Sequence, residues 1–160
     1  MKNRFASALL AAVVSTTSTG AMAADTTRQA QVEHNSEKVM PFSMQSSQHV
    51  FVPNPTGGVQ TVLVPGGNRK QIRLVRSHLQ KEAAAFARGD FTDPASIHGG
   101  DMPGIRRMHA GSNHIKVRYA EVLNGASITY TTIDPELVSA LHAWFKAQVN
   151  DHGAHAAMKM

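Results

Sequence analysis

The chain has 160 residues, 42% of them hydrophobic, 17% charged and 6% aromatic. That composition excludes a disordered tail, a collagen-like repeat and a coiled coil, and the length suits one domain with a real core. The absence of cysteine excludes disulfides and thiolate zinc sites, while nine histidines and eight methionines are present.

Lys2 and Arg4 precede an apolar run over residues 5–14, and a polar stretch follows that ends in Ala21-Met22-Ala23. This is the pattern of a secretory signal peptide over 1–23, with cleavage near Ala23. The apolar run is shorter than the roughly 20 residues a membrane span needs. With no cysteine to acylate, a lipoprotein anchor is excluded. The expected destination is periplasmic or secreted. Without Lys2 and Arg4 the net charge falls from +5 to +3, too small a surplus to argue for nucleic acid.

Residues 24–47 are polar apart from Val39-Met40-Pro41-Phe42 and read as an extended arm that docks through Met40 and Phe42. A single α+β domain is expected over 48–152. His49-Val50-Phe51-Val52 and residues 59–64 are β-branched runs separated by Pro53-Asn54-Pro55-Thr56-Gly57-Gly58, a hairpin signal. Ile72, Val75, Leu79, Ala83 and Phe86 form a stripe at helical spacing, with Gly89 as its expected C-cap. The basic cluster Arg69, Lys70, Arg73 and Arg76 reads as a solvated face of that helix. Residues 90–113, rich in glycine and proline, predict a long connection with room for one short helix. Ile115, Val117 and Tyr119 then alternate, Asn124-Gly125 supplies a turn, and Ile128, Tyr130 and Thr132 alternate again.

The last helix starts at Asp134 as N-cap and Pro135 as N1, and its stripe runs through Leu137, Leu141, Trp144 or Phe145, and Gln148. The expected architecture is ββα-loop-ββα: an antiparallel four-stranded sheet with two helices on one face. Residues 153–160 read as a flexible His/Met tail.

The loop Ser96-Ile97-His98-Gly99-Gly100-Asp101-Met102-Pro103-Gly104 places an imidazole, a carboxylate and a thioether within five residues. Either His98 and Asp101 cap local turns, or the loop walls a site. In a cysteine-free exported protein His and Met are the ligands left for a soft ion, and copper is the natural candidate; zinc would prefer His with carboxylate. His49 opens a strand, and His78 and His142 each border the apolar stripe of a helix. They are either hydrogen-bonded core residues or convergent ligands. Asp151-His152-Gly153-Ala154-His155 reads as a short metal-binding tract or as loose surface histidines. His142 and His152 stand about 15 Å apart along a helix and cannot share an ion while it stays regular. No G-x-S-x-G, H-E-x-x-H, P-loop or G-x-G-x-x-G is present.

Val39-Met40-Pro41-Phe42, His49-Val50-Phe51, Gly57-Gly58-Val59-Gln60-Thr61, Phe86-Ala87-Arg88-Gly89-Asp90-Phe91, His98-Gly99-Gly100-Asp101-Met102-Pro103-Gly104, Ile128-Thr129-Tyr130-Thr131-Thr132 and Leu141-His142-Ala143-Trp144-Phe145 with Gln148 and Asp151-His152 carry a resemblance. Over roughly residues 38–155 the chain resembles a poorly characterised family of small exported bacterial proteins, many of them labelled aspartate carbamoyltransferase. That activity needs two α/β domains and a Ser-x-Arg-Thr phosphate loop, and this chain has no such tetrapeptide. The resemblance implies that His49, His78, His98, Met102, His142 and His152 belong to the family pattern, ahead of His34, His109, His114 and His155.

The leading expectation is an exported soluble metal-binding protein with a His/Met site, for copper binding or tolerance. Its candidate ligands are His98, Met102, His142, His152, His78 and His49, with zinc or a haem held by an axial histidine as alternatives. A second expectation is an enzyme on a small molecule with His98 or His142 as general base, and a third is an interaction module with structural histidines. The expected partners are a metal ion or small ligand, with no nucleic acid, no membrane span, and a homodimer as an open oligomeric state.

Overall fold

Two β-branched hairpins and two apolar helical stripes must bury their faces against one another, and they do so as a sheet with helices packed against it. A computed structural model describes residues 19–160, with side chains from residue 24. The basic start and apolar run expected of a signal peptide lie outside the described residues. The elements are α1 (Thr19–Val39), β1 (Gln48–Asn54), β2 (Gly57–Leu63), α2 (Arg69–Phe86), α3 (Thr92–His98), α4 (Ile105–Ala110), β3 (Lys116–Val122), β4 (Gly125–Thr131), α5 (Pro135–His152) and β5 (Ala156–Met158). No helix among the described residues is long and apolar enough to cross a membrane.

The fold is α+β, with a mixed five-stranded sheet in the order β3-β4-β2-β1-β5 and five α-helices among the described residues. The two hairpins pair through β2 and β4, all antiparallel, as Gln60 opposite Ile128 shows. The expected antiparallel strands are therefore present, but β5 adds a fifth, parallel to β1, with His49 opposite Ala156 and Phe51 opposite Met158. The segment expected as a flexible tail is thus a sheet edge, tied further by the Lys159 amide donating to the Phe51 carbonyl at 2.9 Å. Pro53 belongs to β1 rather than to the turn, which shrinks to Pro55 and Thr56. β5 accompanies β1 only as far as Phe51, so Pro53 stands where the strand has an open side.

α2 starts where the Asn68 side chain accepts from the amides of Lys70 and Gln71, and α5 where Asp134 accepts from Glu136 and Leu137. Both pack on one sheet face: Tyr130 of β4 meets Phe86 of α2 at 6.3 Å between ring centroids and Trp144 of α5 at 5.7 Å. Phe51, Phe86, Phe91, Tyr130, Trp144 and Phe145 form the aromatic centre of the core. Arg76 of the basic cluster is not merely solvated. It donates to the carbonyls of Val122 and Gly125 and pairs with Glu121, fastening α2 to the β3–β4 hairpin.

The polar segment expected as an extended arm is helical over most of its length, as α1. It carries no apolar stripe, and the side chains it buries are Val32 and Ser36. It packs against α3 and α5. Beyond it, Phe42 is buried and Met40 half-buried against the core, the docking expected of them. The connection 90–113 holds two short helices, α3 and α4, in place of one.

Candidate functional site

Three histidines that are far apart in sequence meet where β1, α3 and α5 end. His49 sits on the inward side of β1, opposite Val62. His98 is the last residue of α3, which stops at Gly99 with φ +93°. His152 is the last residue of α5, which stops at Gly153 with φ +52°. Only glycine adopts such backbone cheaply, so each stop fixes the direction of the ring before it. The His152 ring lies 5.0 Å from that of His49 and 4.8 Å, edge-on, from that of His98. All three rings are buried.

Asp151, the neighbour of His152, orients the cluster from behind. Its Oδ2 lies 2.8 Å from Nδ1 of His98, and the Arg28 guanidinium of α1 grips both carboxylate oxygens, with Nη2 at 2.7 Å from Oδ2. The same nitrogen donates to the His98 carbonyl at 3.1 Å. Burial would raise the Asp151 pKa, but the hydrogen bonds from His98 and Arg28 outweigh it and hold the carboxyl below its usual range. An ionised carboxylate only accepts, so the His98 proton sits on Nδ1 and Nε2 is directed elsewhere.

The other two rings lack partners. Both nitrogens of His49 and Nε2 of His152 are buried without a hydrogen bond. Each such group costs about 1–3 kcal/mol if left unsatisfied. Burial first, and neighbouring imidazoles second, push His49 down to about 3 and His152 down to about 2. Both are therefore neutral at physiological pH, the state in which imidazole ligates metals. Among the described residues, no three His, Asp or Glu side chains are arranged as a ready metal-ion cage.

The other sequence candidates go to different places. His78 is buried on α2 with its ring 5.6 Å from Phe42, which in turn lies 6.1 Å from His49. Burial pushes His78 down to about 4. His142 is at the far end of β1, where its Nε2 lies 2.8 Å from the Gly57 carbonyl and 3.1 Å from that of Asn54. It pins the β1–β2 turn. Met102 lies in the apolar core and Asp101 is exposed. Of the exposed or half-buried histidines, His155 borders the cluster's outer pocket with Gln29, Glu33 and Met44.

Comparison of the chain with protein-family models, with curated proteins and with solved structures finds no match in any of the three. The site is therefore read from its own residues.

Sequence reading named Asp151 only within the tract Asp151-His152-Gly153-Ala154-His155, without this role, and missed Arg28 altogether. The carboxylate of Asp151 is legible in retrospect, because extending the α5 stripe from Leu141 through Trp144 and Gln148 places positions 151 and 152 on the buried face. Arg28 left no signal, since it sits among polar residues without periodicity.

Proposed function

We propose that this chain is an exported protein that binds a divalent transition-metal ion through His49, His98 and His152. The observation that carries the reading is the meeting of three buried imidazoles, two of them with unpartnered nitrogens and the third held by Asp151. A carboxylate behind a ligating histidine fixes its tautomer and raises its basicity. Imidazole suits copper, zinc and nickel, and copper(II) binds most tightly at a nitrogen site of given geometry. Met102 is buried in the apolar core and the reading uses imidazole nitrogens alone, so copper(II) is the first candidate and zinc the second. Closing on an ion requires the rings to turn by rotation about their side-chain bonds.

The test is competitive titration of untagged mature protein with copper(II) and zinc(II). One equivalent should bind, with affinity about 100-fold weaker or more in His152→Gln and His98→Gln. His109→Ala and His114→Ala, at exposed positions, should match the parent protein. Equal affinity in all five proteins would mean surface binding only and would end the reading.

The Asp151–His98 pair also favours a second reading, in which His98 Nε2 is a general base for a small substrate. His49→Gln separates the two, because it removes an ion ligand and leaves the pair intact.

A further inference from the structure

The core holds a second group of polar side chains that the proposed ion site, His49 apart, does not employ. A cavity of about 40 Å³ lies between the sheet and α2, with His49, Gln60, His78, Glu82, Trp144 and Gln148 on its walls beside apolar neighbours. Cores seldom line a void with six polar residues, since each buried polar group needs a partner. Here several lack one. The indole Nε1 of Trp144, Oε1 of Glu82 and both nitrogens of His49 are buried without hydrogen bonds, and all three residues are at least nine-tenths buried. Tyr130 donates to Gln60 Oε1 at 3.0 Å, which occupies that oxygen and leaves the amide nitrogen as the free end.

The chemistry of the walls selects the occupant. Indole N–H only donates, so whatever touches it must accept. A neutral imidazole keeps one bare nitrogen, so whatever touches that must donate. Charge is disfavoured in either sign. Burial, reinforced by Asp93, pushes Glu82 up to about 8, and burial pushes His78 down to about 4. At neutral pH neither then offers a countercharge, and an unpaired buried ion is costly.

We propose that this cavity is a binding site for a small uncharged molecule of about three heavy atoms that both donates and accepts hydrogen bonds, such as a primary amide or a peroxide. The occupant lies across the cavity between the Trp144 N–H and the acceptors of His49 and Glu82. The assignment does not rest on the ion reading, since Trp144, Glu82 and His78 lie outside the ring cluster.

Trp144 is the only tryptophan, so its indole N–H gives one resonance in nitrogen-15-labelled protein. Chelator-treated protein would be titrated with formamide. The expected result is a saturable shift of that resonance, with binding retained in Glu82→Gln and at least about tenfold weaker in Glu82→Leu, which fills the space. Formate, ammonium and N,N-dimethylformamide should compete at least about tenfold more weakly, because charge, or the replacement of both N–H donors by methyl groups that also exceed the space, removes the match. A shift that rises linearly without saturation, or equal responses to formamide and N,N-dimethylformamide, would leave water as the sole occupant and overturn the assignment. If Glu82→Leu does not fold, the ligand series on the parent protein decides. Because the protein is metal-free throughout, failure here is separate from failure of the ion titration.

Discussion

Asp151 on α5 accepts a hydrogen bond from Nδ1 of His98 on α3 at 2.8 Å, although 53 residues separate the two. The same carboxylate holds Arg28 of α1. One acidic side chain therefore fastens three helices together and sets the proton of one ring in the histidine cluster.

Replacing that carboxylate with its amide tests both roles. In Asp151→Asn the His98 ring keeps a neutral acceptor but loses the charge that fixes its tautomer, and Arg28 loses its ion-pair partner. Ion affinity should fall about 10- to 100-fold. Amide hydrogen exchange in α1 should quicken at the same time. Unchanged affinity in the competition titration would remove Asp151 from the site.

Met102 and His142 should behave as structural residues. Met102→Leu conserves volume in the apolar core and should cost less than about 1.5 kcal/mol. His142→Ala removes the side chain that bonds the Asn54 and Gly57 carbonyls and should cost on the order of 1 kcal/mol. Neither should change ion affinity beyond about twofold, well inside the losses expected for true ligands. Urea unfolding together with ion titration distinguishes these outcomes from a ligand role, in which affinity would fall before stability.

The glycine-rich loop is held by a close approach to α5. Gly104 has φ +81°, and a Cβ there would lie within the contact distance of the Ala140 carbonyl, at 2.1 Å from its oxygen. Gly104→Ala should therefore destabilise by at least about 2 kcal/mol, combining backbone strain with a clash against main chain that cannot swing aside. Gly100→Ala, in open space, is the control and should be nearly neutral. Equal denaturation midpoints for the two would show that α4 does not need this contact.

Stability of the metal-free protein should peak between about pH 6.5 and 7. His49, His78 and His152 have folded pKa values of about 3, 4 and 2 against 6.5 unfolded, so below pH 6.5 the unfolded chain takes up protons that the folded one refuses. Stability is then lost as the pH falls. Glu82 runs the other way: its folded value of about 8 exceeds 4.5 unfolded, so its contribution is complete below pH 4.5 and lost as the pH rises through 8. Each unmatched proton is worth about 1.4 kcal/mol per pH unit, so three histidines outweigh one glutamate on the acid side. Thermal melts from pH 5 to 8.5 should show the maximum. Glu82→Gln should flatten the alkaline limb alone, and a limb unchanged by that substitution would show that Glu82 is already ionised.

The elements that announced themselves in the sequence are those whose pattern is local. The Asn124-Gly125 turn, the stripe from Val75 to Phe86 and the Asp134-Pro135 start each depend on a few neighbouring residues, and each lies where expected. α1 was not legible because a helix without an apolar stripe has no period to read; it is held by Arg28 and by α3 and α5, not by its own pattern. β5 was not legible because three residues pairing with β1 across a hundred positions leave no local trace. Which of the six candidate ligands meet depends on the register of β1 and on where α3 and α5 stop. That is why His49, His98 and His152 converge while His142 stands at the β1–β2 turn.

The seating of α1 on α3 and α5 through a polar surface has a kinetic consequence. Its undocking would break the Arg28 clamp and the cover over Val32 and Ser36 while leaving the four antiparallel strands and the aromatic centre intact. Opening of that kind is far cheaper than global unfolding and recurs many times for each global event. Such partial openings would admit solvent to Asp151 and the ring of His98, so the release of anything held by the cluster is expected to follow the unseating of one polar helix rather than unfolding of the domain beneath it.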